Sequence, residues 1–112
     1  MRYLLIICHD ARFTPTGSLI AGIRAWIGAM TARGMRVHGN PLRPPGDAVT
    51  VRVRDGRVVV ANGPFAKSKD KMAAYELVEC GSIEQAIEAA SRHPMAAAGT
   101  IEVRPVWAEL AE

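Results

Sequence analysis

Val49-Thr50-Val51-Arg52-Val53-Arg54-Asp55-Gly56-Arg57-Val58-Val59-Val60-Ala61-Asn62-Gly63-Pro64-Phe65 organises this chain. Val49, Val51 and Val53 alternate with Thr50, Arg52 and Arg54, the period-two pattern of a strand. Asp55-Gly56 tolerates the positive φ values of a two-residue hairpin loop. Such a loop pairs Val53 with Val58 and Val51 with Val60, so a hairpin is predicted over 49–61 with a valine ladder on one face. The other face carries Arg52, Arg54 and Arg57, with Arg54 opposite Arg57. Like charges across such a pair cost roughly a few tenths of a kcal/mol when exposed. Solvent tolerates them, and so does an anion or an acidic partner. Beyond the hairpin, Gly63 can take a positive φ while Pro64 fixes its own. The sharp turn leads into Lys67-Ser68-Lys69-Asp70-Lys71 and forms a candidate site wall.

On either side of the hairpin lies a β-α-β unit. Arg2 to His9 reads as a buried first strand. Thr14-Pro15 reads as a helix start, with Thr14 as N-cap. Leu19, Ile23, Trp26, Ile27 and Met30 then recur at helical spacing, and Gly34 closes the helix. Met35 to Gly39 reads as a second strand, followed by a proline-rich loop over 40–46. Downstream, Met72 to Cys80 is a strand, and Ser82-Ile83-Glu84-Gln85 has capping-box spacing. Ile83, Ala86, Ile87 and Ala90 make the buried stripe of a second helix, which Pro94 stops. Thr100 to Trp107 is the last strand, with Ile101, Val103 and Trp107 on one side and Thr100, Glu102 and Arg104 on the other. This order predicts one α+β domain, 1–112: a split βαβ sheet with both helices on one face and an inserted hairpin. Several strands carry apolar residues on both sides. A second copy packing sheet to sheet would cover the free face.

Composition narrows the function classes. The 112 residues are 49% hydrophobic, 22% charged and 5% aromatic, with a net charge of +3. No apolar run approaches the roughly 18 residues of a membrane span. The opening apolar run ends at His9-Asp10, too soon for a secretory leader, so a cytoplasmic protein is expected. The two cysteines, Cys8 and Cys80, are too few for a disulfide framework and read as buried thiols. The basic residues are dispersed and lack interleaved aromatics, which disfavours nucleic acid and favours a small anionic ligand. No metal motif, phosphate loop or catalytic triad spacing is present, and no cofactor is called for.

The residues quoted so far resemble the YCII-related, DGPF-domain family over nearly the whole chain. Arg2-Tyr3-Leu4-Leu5-Ile6-Ile7 is similar to that family's apolar start. Thr50-Val51-Arg52-Val53-Arg54-Asp55-Gly56 is similar to its hairpin. Asn62-Gly63-Pro64-Phe65-Ala66, with Lys69, resembles its signature segment, and Glu102-Val103-Arg104-Pro105-Val106 its closing strand. The resemblance implies a ferredoxin-like subunit that forms a dimeric α+β barrel, with a cleft lined by the open sheet face. It implies no defined activity; some relatives sit beside alternative sigma factors. Two positions depart from the pattern. The signature aspartate is Asn62, which cannot serve as a carboxylate base, and the acidic residue that usually follows the signature is Lys67.

His9 is the candidate for proton transfer. Its neighbour Asp10 points to the other face of a continuing strand, so a dyad competes with a loop-start histidine beside a solvated aspartate. Arg104 either clamps an anion or pairs with Glu102 or a partner's acid. Asn62 and Lys69 are candidate ligand contacts, Lys69 being alternatively an exposed loop lysine. Tyr3 and Tyr75 either reach the same cleft or fill the core. His38 reads as a half-buried polar residue and His93 as a helix-end residue. Two functions stand side by side: a homodimer binding a small anion, with His9 moving a proton and Arg104 and Asn62 orienting the substrate, or a non-catalytic sensor or interaction module using the hairpin's arginine face.

Overall fold

A computed structural model describes residues 1–111; Glu112, the last residue of the expected 1–112 domain, lies outside them. The elements run β1 (Arg2–His9), α1 (Gly17–Ala32), β2 (Arg36–Pro41), β3 (Val49–Arg54), β4 (Arg57–Asn62), β5 (Lys71–Glu79), α2 (Ile83–Arg92), α3 (Met95–Ala98) and β6 (Thr100–Pro105). Among the described residues the strands form a four-stranded sheet in the order β2-β5-β1-β6 and a two-stranded sheet of β3 and β4. Every pairing in the larger sheet is antiparallel, so β5 lies between β1 and β2, and β1 lies between β5 and β6. That connectivity fits the ferredoxin-like pattern of interleaved β-α-β units.

The hairpin has the expected register: Val51 pairs with Val60, Val53 with Val58 and Arg54 with Arg57. Asp55 and Gly56 have φ of 51° and 74°, as a two-residue loop of this kind requires. At its base the Gly63 N–H donates to the Ala48 carbonyl, and the Thr50 hydroxyl donates to that of Gly63, both at 2.7 Å. The hairpin stands away from the body, and its valines are exposed. The radius of gyration is accordingly 15.8 Å, against about 13 Å for a compact chain of this length.

Alternation along β1 sorts the large sheet's two faces. Tyr3, Leu5 and Ile7 are buried toward the helices, beside Glu76 and Val78 of β5 and Ile101 and Val103 of β6. Leu4, Ile6, Tyr75, Leu77, Glu102 and Arg104 lie on the open face. In β2 the register slips between Arg36 and His38. This bulge resets the alternation, placing His38 and Asn40 on the open face and Gly39 over Glu76.

Several boundaries differ from the sequence-based expectation. The N-cap is Thr16, whose hydroxyl accepts from the Leu19 N–H at 3.1 Å, so the helix starts beyond the Thr14-Pro15 pair. Gln85 reaches past the Ser82 cap and accepts from the Gly81 N–H at 2.6 Å. The buried face of α2 is Ala86, Ala89 and Ala90, while Ile87 points outward at 53% exposure. β6 ends at Pro105, so Trp107 leaves the strand and is exposed.

The main core is Tyr3, Leu5, Trp26, Met30, Val78, Cys80 and the α2 alanines. Leu5→Ala should lower the unfolding free energy by about 2–5 kcal/mol, and Ile87→Ala by less than about 1 kcal/mol. Urea denaturation of both variants measures the contrast.

Candidate functional site

The expected site residues are scattered over the molecule. His9 is the last residue of β1 and follows Ile7 toward the helices. Arg104 pairs with Leu4 near the other end of β1, on the opposite face of the sheet, and lies 3.4 Å from Glu102. Asn62 ends β4 on the hairpin and is exposed, and Lys69 borders a shallow hollow with Asp10 and Arg12. Tyr3 does not reach the open face: it is 2% exposed and packs under the helices. One protomer therefore does not gather His9, Arg104 and Asn62 around a common ligand. The obstacle is the sheet itself, which separates His9 from Arg104.

The structure instead has a cleft on the helix side of the sheet. Trp26 and Met30 bury the C-terminal half of α1, but Leu19, Ile20 and Ile23 remain at least partly exposed over the far end of β1 and β5. Between them and the sheet lie two cavities of about 420 and 340 Å³. Their shared walls include Ile7, Ile20, Ile23, Ala74 and Met95, which makes them one apolar cleft with two ends. His9, Phe13 and Arg43 line the outer end. Arg24, Arg36, Glu76 and His93 line the inner end. A groove at the hairpin base, lined by Leu42, Pro64 and Phe65 among others, is similar in size. It lacks a buried titratable group, and Phe65 stands 71% exposed beside it.

The polar groups of the cleft have defined states. Glu76 is 5% exposed and accepts from Arg36 Nε at 2.7 Å; the same guanidinium donates to the Gly39 carbonyl at 3.0 Å. Gly39 leaves room there, since a Cβ would overlap the Glu76 carboxylate and displace it. His9 Nδ1 lies 2.9 Å from the Asp10 carbonyl. A carbonyl only accepts, so Nδ1 carries a proton, and in the neutral ring the lone pair is on Nε2. His9 also stacks on Phe13 at 4.2 Å, which fixes its ring. Burial lowers the His93 pKa to about 4. Burial also raises both thiols, and the charges of Asp70 and Glu102 add to this at Cys8, so neither cysteine is a ready thiolate.

The YCII-related domain family matches residues 1–109. The chain belongs to the YCII-related family. It is also 34% identical over 67 residues to an uncharacterised protein of Rhizobium meliloti (strain 1021), covering 58% of this chain and 54% of that protein. The chain thus spans about half the length of the curated relative it matches.

In this YCII-related protein, the arrangement places the His9 imidazole at the outer end of an apolar cleft and a compensated ion pair at the inner end. Glu76 and His93 were missed as site residues. The bulge that places Gly39 over Glu76 has no sequence signature, and His93 read as a helix end. On the open face, Tyr75 Oη lies 3.0 Å from His38 Nδ1 and accepts from Asn40 Nδ2 at 3.2 Å, a second polar cluster that the bulge creates. Among the described residues, no three of His, Cys, Asp and Glu converge on a metal position.

Two outcomes follow from the buried groups. Gly39→Ala should displace the Glu76 carboxylate from Arg36 and cost roughly 3–5 kcal/mol in urea denaturation, the scale of a broken buried ion pair. Because the folded-state pKa of His93, about 4, lies below its unfolded value near 6.5, the unfolded chain binds the extra proton between them. The stability linked to His93 is therefore complete above that window and is lost as pH falls through it, by on the order of 3 kcal/mol. His93→Gln should remove this dependence, as measured by the difference between the two proteins' denaturation midpoints across that range.

Proposed function

We propose that this YCII-related protein is a homodimer whose protomers each bind a small amphipathic organic anion in the cleft between α1 and the sheet. Proton transfer at His9 then needs no cofactor. The observation that carries this is the cleft itself: an apolar wall interrupted by a few buried or oriented polar groups, the usual form of a small-molecule site. The ligand's apolar body packs on Ile7, Ile20, Ile23 and Met95, which line both ends. Its anionic end lies toward Arg24, which is exposed and makes no ion pair among the described residues. The free Nε2 of His9 accepts a proton from the part of the ligand at the outer end.

Dimerisation draws support from the open face, where Leu4, Ile6 and Leu77 form an apolar stripe that no element among the described residues covers. A sheet-to-sheet dimer buries this stripe and completes an α+β barrel. Arg104 then serves the contact between protomers. Asn62 and Lys69 approach a ligand only where the second protomer carries them there. A second function, as an interaction module, is favoured by the exposed valine ladder of β3 and β4. On that basis Arg52, Arg54 and Arg57 contact an acidic protein partner.

The test is titration with 8-anilinonaphthalene-1-sulfonate, an aromatic sulfonate, at neutral pH. Saturable binding should be weakened roughly tenfold or more by Ala74→Phe, which fills the cleft from the sheet side. Equal affinity in that variant contradicts the cleft as the site. Sedimentation equilibrium should give a dimer for the native protein and a monomer for Ile6→Lys.

A further inference from the structure

The geometry points to His93 as the recognition residue of the inner cleft: its Nε2–H donates to an uncharged acceptor oxygen, a ketone or phenol, on a ring-sized apolar portion of the ligand. This rests on the cleft being the ligand site and specifies which group the ligand places against His93, beside the anionic group that Arg24 takes.

The tautomer follows from one hydrogen bond. The Met95 N–H donates to His93 Nδ1 at 3.1 Å. Nδ1 is thereby an acceptor, so the proton of the neutral ring sits on Nε2. The ring is held from two further directions. Trp26 meets it edge-on with ring centroids 4.8 Å apart, and the Trp26 indole N–H is itself fixed on the Ala89 carbonyl at 2.9 Å. Pro94, the next residue, lies against Gly22, where a Cβ would come within 3.0 Å of the proline ring. His93 is therefore placed by α1, α2 and α3 together.

Nε2 has no hydrogen-bond partner among the described residues, although the whole residue is only 3% exposed. No fully buried side-chain nitrogen or oxygen among those residues lacks a partner. Nε2 consequently reaches open space, and the cavity that His93 lines is the inner end of the cleft. A buried N–H facing a cavity without an acceptor is unfavourable, and a ligand oxygen relieves it.

The neighbouring charges select the kind of oxygen. Arg24, exposed and without an ion pair among the described residues, takes the ligand's anionic group, while the Glu76 carboxylate is matched by Arg36, so the wall beside His93 carries no net charge. A ligand carboxylate placed there would face Glu76, and an ammonium would face Arg36. Burial also keeps the imidazole neutral. A carbonyl or phenol accepts one hydrogen bond without adding charge, and a ring fits walls made by Ile23, Ile27 and Met95.

Indane and 1-indanone, a hydrocarbon and its ketone, test this, with binding followed by the Ile7 and Ile23 methyl signals in NMR. In the native protein the ketone should bind at least as tightly as the hydrocarbon despite its greater hydration. The ratio of the two affinities should fall about tenfold in His93→Phe, which keeps a ring against Trp26, and recover in His93→Gln, which restores an N–H donor. Because each protein serves as its own reference, a general loss of stability cancels. Indane binding with an unchanged ratio in His93→Phe overturns the assignment while leaving the cleft as a ligand site. No shift of either methyl with either compound overturns both.

Discussion

The Trp26 clamp sets the rest of the molecule. Its ring is buried, its N–H bonds to the Ala89 carbonyl, and Gly22 one turn earlier admits Pro94. These contacts hold the later turns of α1 against α2 and α3 and concentrate the core at the end of the sheet where β1 begins. The first turns of α1, beyond the clamp, lie over the sheet without sealing it. A continuous apolar stripe on one helix therefore becomes two structures: a closed core around Trp26 and Met30, and an open cleft under Ile20 and Ile23.

The inner wall of that cleft depends on a second constraint. A carboxylate as buried as Glu76 is tolerated because the Arg36 guanidinium pairs with it and the missing side chain of Gly39 leaves it room. Removing one member of such a group leaves an uncompensated charge, so the arrangement persists as a unit. The bulge in β2 sets both features, since it puts Gly39 opposite Glu76 and turns His38 and Asn40 toward Tyr75 on the other side. One extra residue in an edge strand thus shapes both faces of the sheet.

Much of the fold was legible because local rules act alone there. The hairpin register followed from alternating valines around Asp55-Gly56, the end of α1 from Gly34, and the start of α2 from Ser82. The site was not legible, because it depends on where elements stop touching. Helical spacing shows that Leu19, Ile23 and Trp26 share a stripe but not that only Trp26 is buried. Ile87 matched the same periodicity as Ala86 and Ala90, yet small alanines allow α2 to sit close to the sheet and leave Ile87 outside. His9 was found at the end of β1, but its separation from Arg104 by the sheet follows only once the strands are paired. His93 gave no functional signal in sequence, since its meaning comes from the Met95 N–H and the cavity beside it.

A crystal of the native protein pressurised with xenon tests the central claim most directly, because xenon occupies apolar cavities that a side chain or closed packing would fill. Xenon density is expected between α1 and the sheet, in contact with Ile7, Ile23 and Met95, with the Arg36–Glu76 pair intact. A helix lying flat on the sheet along its whole length, with no xenon beneath it, would show that no cleft exists there.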